Sequence, residues 1–127
     1  MNRLTGKQLF MINQKLTEDN TDASETFMKK LEAISELPYE QDETLFYIYK
    51  DTIAKASKLG CSLARIKPFA KKNNQTAVLA LLTLLALNRI ELQNYDKDIP
   101  KLVSILEAGD VEQGINWIKV HETEEKS

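Results

Sequence analysis

The sequence predicts an all-α fold, a compact bundle built around a buried central helix at about 75–88. Three observations carry this expectation. Apolar residues recur at intervals of three and four, as in Phe27, Leu31, Ile34 and Leu37, which is the period of one helical face. The run from Ala77 to Leu87 is apolar at every position except Thr83, so a helix there is hydrophobic around its whole circumference and is expected to be enclosed by others. No strand-like alternation, repeat or low-complexity tract interrupts the pattern.

The elements follow in order. Thr5-Gly6-Lys7-Gln8 has the spacing of a capping box, and Leu9, Phe10, Met11, Ile12 and Leu16 then give a short amphipathic helix. The stretch 17–22 is polar and turn-forming, and is expected to be an exposed loop. A second helix runs from Ser24 until Pro38 stops it. After the acidic break Glu40-Gln41-Asp42-Glu43, the cluster of Leu45, Phe46, Ile48 and Tyr49 fits either a helical turn or a strand-like piece. Asp51-Thr52 offers the start of a third helix, in which Ile53, Ala56, Leu59, Leu63 and Ile66 keep helical spacing. Gly60 within it costs about 1 kcal/mol relative to alanine and lets a neighbouring helix approach closely.

Pro68 disfavours helical geometry at Lys67, so a turn is expected to begin there. The central helix then starts at Asn74 or Gln75. Asp96 and Asp98 lie near the start of the next helix, with Pro100 in its first turn, where a missing N–H costs little. Its Ile99, Leu102, Val103, Ile105 and Leu106 are expected to face the core. Gly109 ends that helix and Asp110 caps a last one, in which Val111, Ile115 and Ile118 pack inward beside Trp117. The segment 121–127 reads as a charged, frayed tail, so its His121, the only histidine, makes no metal site by itself.

With 127 residues the chain suits one domain, 1–127. It is 43% hydrophobic and 28% charged with net charge −2, a balance with no global drive toward nucleic acid or an anionic membrane, so anion binding would have to be local. The single cysteine, Cys61, excludes an intramolecular disulfide and a cysteine-rich zinc site, suits a reducing cytoplasm, and reads as a buried structural residue. The first seven residues hold no apolar signal core, and 77–87 is shorter than the roughly 20 residues that span a bilayer. A cytoplasmic protein with no membrane partner is expected.

The stretch from Lys67 to Ala77 is where chemistry is expected. A polar, basic turn ahead of a helix delivers backbone N–H groups and the positive end of the helix dipole to one place, which is how a phosphate is held. Lys71, Lys72, Asn73, Asn74 and Gln75 are the candidate phosphate-binding residues, and Pro68 and Phe69 shape the loop, with Phe69 as a core plug. The plainer reading of Lys67, Lys71 and Lys72 is a solvated basic turn.

This stretch resembles the signature of the Fic superfamily, His-Pro-Phe-x-Asp/Glu-Gly-Asn-x-Arg. It is more similar still to the death-on-curing (Doc) branch, His-x-Phe-x-Asp/Asn-Ala/Gly-Asn-Lys-Arg-Thr-Ala. Ala64-Arg65 before it, Leu87-Asn88 with Ile90-Glu91-Leu92 after it, Leu31-Glu32-Ala33 and Glu107-Ala108-Gly109 resemble further family segments. The resemblance implies a helical bundle with the motif loop at the start of the central helix. It implies ATP as co-substrate, transfer of a nucleotidyl or phosphoryl group to a protein hydroxyl, a translation factor as target and an antitoxin as silencing partner, in a bacterial or prophage setting.

The family's base, metal-binding acid, small residue and arginine fall on Lys67, Lys71, Lys72 and Gln75, none of which does that chemistry. Lysine is protonated near neutral pH, repels Mg²⁺, and glutamine carries no charge. Pro68, Phe69, Asn73, Thr76 and Ala77 are kept. The expectation is a catalytically impaired pseudoenzyme with no metal, working through a protein partner or a phosphate-bearing ligand. The alternatives are an active transferase whose base and metal ligand come from elsewhere, such as Asp51 or Glu43, and a small nucleic-acid-binding domain using Arg65, Lys71 and Lys72.

Overall fold

A computed structural model describes residues 2–122. Among them are six α-helices: α1 (Gly6–Thr17), α2 (Glu25–Glu36), α3 (Thr52–Ile66), α4 (Asn73–Leu87), α5 (Ile99–Ala108) and α6 (Val111–His121). Two 3₁₀ turns, Leu37–Tyr39 and Asp96–Asp98, lie between them, and the described residues contain no β-strand, only two isolated bridges. The all-α expectation holds.

The starts follow their capping chemistry. Thr5 and Gln8 form the reciprocal box, with Gln8 N–H donating to Thr5 Oγ1 at 3.2 Å and Thr5 N–H donating to Gln8 Oε1 at 2.8 Å. Ser24, Asp51 and Asp110 cap α2, α3 and α6 with their side chains. Gly6 sits so close to α2 that a Cβ there would lie 2.5 Å from the Glu32 backbone nitrogen, and its N–H donates to Glu32 Oε2 at 2.7 Å.

The hub of the bundle is α3, not the helix that its composition singles out. It packs against α2, α4, α5, α6 and the Leu37–Tyr39 turn, and its residues from Lys55 to Ala64 are buried except Lys58. A Cβ on Gly60 would come 3.1 Å from both Leu106 and Leu81, so α4 and α5 meet α3 at the one position without a side chain. Leu31, Leu59, Leu63, Leu81, Leu85, Leu102 and Ile118 complete one continuous core with them.

Four expectations are corrected. The central helix begins at Asn73, and it is enclosed on only one side: Leu79 is 39% exposed and Leu87 is also exposed. Uniform hydrophobicity reports what a helix tolerates, while the number of neighbouring helices decides how much is covered. The 45–49 cluster is neither helix nor strand but the tip of a tight loop, closed by an antiparallel bridge between Gln41 and Tyr47. His121 is not in a frayed tail. It ends α6 buried, its ring tilted against that of Trp117 with centres 4.6 Å apart, with Nε2 3.0 Å from Asp98 Oδ2 and Nδ1 3.3 Å from Gln93 O. The rest of the expected tail, 123–127, lies outside the described residues.

Candidate functional site

The 67–72 loop is fastened from every side. α3 ends as Lys67 turns left-handed, with φ 51°, and Phe69 inserts into the core edge-on to Phe27, ring centres 5.8 Å apart. Asn73 spends its side chain on the loop: Phe69 N–H donates to Asn73 Oδ1 at 2.9 Å, and Asn73 Nδ2 donates to Phe69 O at 2.8 Å. From α1, buried Asn13 donates to Lys71 O at 2.9 Å and to Thr76 Oγ1 at 3.0 Å, and Thr76 Oγ1 in turn donates to Lys72 O at 2.8 Å. Burial of these groups makes each bond costly to lose.

The lysines are mostly committed too. Lys67 Nζ lies 3.7 Å from Glu107 Oε2 and donates to Asn74 Oδ1 at 3.4 Å, while Lys72 Nζ donates to Leu16 O at 2.9 Å. Lys71 and Gln75 are exposed and form no side-chain bond among the described residues. Lys72 has φ 58°, a left-handed conformation that costs a residue with a Cβ about 1 kcal/mol. It stands where the resemblance puts the small residue. No side chain of the described residues caps α4, so the first N–H groups of that helix remain available.

The loop therefore brings Lys67, Asn74, Lys71, Lys72, Asn73 and Gln75 to one helix start, but turns the polar end of Asn73 inward. The two proposed substitutes for base and metal ligand are not there. Asp51 caps the far end of α3, its Oδ1 accepting from Ala54 N–H at 2.8 Å, and a 15-residue helix separates it from Lys67 by about 22 Å. Glu43 lies in the loop before Asp51. His121 ends α6, a helix with no contact to α4. Among the described residues no group of His, Cys, Asp and Glu could hold a metal ion, and the Cys61 thiol is buried and pushed up to about 11, chiefly by desolvation, so it is no nucleophile.

No family model, curated protein or solved structure matches this chain.

A second surface has the opposite character. In the 40–51 loop, Asp42 Oδ1 accepts from Thr44 N–H at 2.8 Å, Thr44 Oγ1 at 2.6 Å and Phe46 N–H at 3.2 Å, and these bonds, the Thr44 hydroxyl first, hold its pKa below the usual carboxylate value. Asp42 N–H donates to Phe46 O at 2.8 Å, and Ile48 N–H to Glu40 O at 3.0 Å. Leu45 turns left-handed at the tip, φ 67°. Under the loop, the buried Lys55 ammonium donates to Tyr49 O and lies 4.4 Å over the Tyr47 ring. On this rigid base Leu45 is 74% and Phe46 69% exposed, with Tyr47 and Ile48 beside them.

Sequence reasoning missed three anchors. Asn13 carried a signal, as a polar residue flanked by Ile12 and Leu16 in an otherwise apolar helix face. Lys55, between Ile53 and Ala56, carried the same kind of signal. Asp42 looked like one more member of an acidic run.

Proposed function

We propose that this chain works by binding a protein partner and not by catalysis, with the apolar tip of the 40–51 loop as its contact surface. One observation carries the reading: four consecutive large apolar residues, Leu45 to Ile48, stand exposed on a loop whose backbone is pinned by Asp42 and Lys55. Exposed apolar groups cost solubility, and rigidity lowers the entropy lost when a partner covers them. Aromatic residues among them are the usual anchors of protein contacts.

The pseudoenzyme part of the reading rests on the resemblance to the Fic and Doc proteins, and the left-handed Lys72 at the small-residue position supports it. So does the Lys67 ammonium at the base position, which lies 3.7 Å from Glu107 Oε2. By the resemblance the partner is an antitoxin-like chain or a translation factor, in a bacterial cytoplasm.

The test compares the wild type with Phe46→Ser as bait in a bacterial lysate. A protein captured by the wild type and lost with Phe46→Ser is expected. Equal capture by both sinks the assigned surface, and transfer of label from α- or γ-labelled ATP to a lysate protein, abolished by Asn73→Ala, sinks the non-catalytic reading.

A second reading has its own observation, the uncapped start of α4 beside exposed Lys71. It predicts that ATP or inorganic phosphate raises the melting temperature, since a ligand of the folded state stabilises it. No shift with or without Mg²⁺ removes it. Nucleic acid has no comparable support, as the net charge is −2 and the basic groups form no stripe.

A further inference from the structure

The end of α6 is clasped to the stretch between α4 and α5 by the chain's one histidine and its one tryptophan. His121 Nδ1 lies 3.3 Å from Gln93 O, and its Nε2 lies 3.0 Å from Asp98 Oδ2. One helical turn earlier, Trp117 Nε1 donates to Asp98 O at 3.2 Å. The backbones join as well, with Gln93 N–H donating to His121 O at 2.9 Å beside an antiparallel bridge between Leu92 and Glu122. We propose that His121 is a pH-operated latch, which fastens the 92–98 segment to α6 when its ring is protonated and loosens it when the ring is neutral.

Both partners of the ring are oxygen acceptors, a backbone carbonyl and a carboxylate. An imidazolium has two N–H groups and donates to both. A neutral imidazole has one, which leaves the other nitrogen with its lone pair against an oxygen. The side chain is only 9% exposed, so water does little to relieve that mismatch. Asp98 is free for the role, because its side chain makes no capping bond at the start of α5. The surroundings suit a cation, since His121 is the last residue of α6, at the negative end of the helix dipole, and lies against the Trp117 ring. Other charges near the ring in the chain or across the same small cavity, Glu91, Asp96, Lys97, Lys101, Lys119 and Glu122, are exposed, with three of each sign. From α3, Lys55 donates to Tyr49 O, Lys58 lies over the Tyr49 ring, and Arg65 donates to the carbonyls of Glu107 and Ala108. The fastened segment carries Leu92 and Tyr95, one wall of a shallow groove along the outer face of α4, so the latch governs that wall.

Amide exchange of the full chain at about pH 5 and about pH 8, the two sides of the range in which histidine changes charge, tests the latch. Protection is measured against the unfolded-chain rate at each pH. The Gln93 amide is expected to be about tenfold less protected at the higher pH, the loss of one hydrogen bond to a charged group. Trp117 fluorescence is expected to rise in step, because an imidazolium quenches a neighbouring indole more strongly than a neutral ring does. Equal protection at both pH values overturns the proposal. His121→Gln is expected to abolish both responses, and a response that survives it overturns the proposal. Asp98→Asn separates a latch from a merely structural pair. Its amide can donate to the bare nitrogen of the neutral ring, so this variant is expected to protect Gln93 better than the wild type at the higher pH. Weaker protection than the wild type there overturns the proposal. No residue of the 40–51 loop takes part, so the partner-binding reading stands or falls separately.

Discussion

Two loops feed the two longest helices of this protein, and they solve the same problem in opposite ways. The 67–72 loop sends its side chains inward: Phe69 into the core, Asn73 back onto Phe69, and Lys72 across to the end of α1. The 40–51 loop keeps its polar groups for its own backbone and sends its apolar side chains out. A basic loop ahead of an apolar helix looks like the reactive element, yet its polar groups are largely consumed in holding it shut. The apolar loop, which has no chemistry of its own, is the one with surface left to offer.

Four substitutions break or sharpen this contrast. Asn73→Ala removes both bonds to the Phe69 backbone and is expected to cost about 2 kcal/mol in a urea melt, with loss of protection at the start of α4. A stability unchanged by this substitution would mean that the loop is not held by Asn73. Lys72→Gly relieves the left-handed strain and is expected to stabilise by about 1 kcal/mol, less the lost bond to Leu16 O. A destabilised protein would show that this bond outweighs the strain.

Lys55→Met acts on the other loop and is expected to change global stability little while speeding amide exchange across 41–49. Burial lowers the Lys55 pKa below 10.5, against a smaller opposing effect of Asp51. The unfolded chain therefore holds that proton more tightly than the folded one, so stability at this position rises with pH in the window just below 10.5. That slope should vanish in Lys55→Met, which a pH series of melts reads directly. Phe46→Ser, at an exposed tip, is expected to move stability by less than about 0.5 kcal/mol. A large loss would show that the tip is packed after all.

The sequence made most of the helix ends legible because caps act locally. Thr5, Ser24, Asp51, Gly109 and Asp110 each decide a boundary through the few residues beside them. Gly60 was legible for a similar reason, since only a close neighbour makes a glycine useful in mid-helix. Which helix stands at the centre was not legible, because that depends on how many others pack on it. α4 is the more apolar, but α3 is the more enclosed. The site was legible as a loop and not as a network. Asn13 lies 58 residues from the Lys71 carbonyl that it holds, and nothing in local spacing announces such a pairing. The burial of His121 is not legible in the sequence for the same reason, as its partners Gln93 and Asp98 come from the turns before α5.

One joint shows what such distant pairing means while the chain is being made. At the end of α4, Asn88 Oδ1 accepts from Asn2 N–H and its Nδ2 donates to Asn2 O, both at 2.9 Å, and Asn2 Nδ2 donates to Leu87 O at 2.8 Å. The amide of Asn88 takes the place of a peptide group and pairs with the Asn2 backbone across 86 positions. On the ribosome, this pairing of Asn2 cannot form until α4 and Asn88 have left the exit tunnel, whereas neighbouring Arg3, 3.8 Å over the Tyr39 ring, has its partner earlier. The Asn2–Asn88 joint therefore closes only after the elements between the two residues have been made.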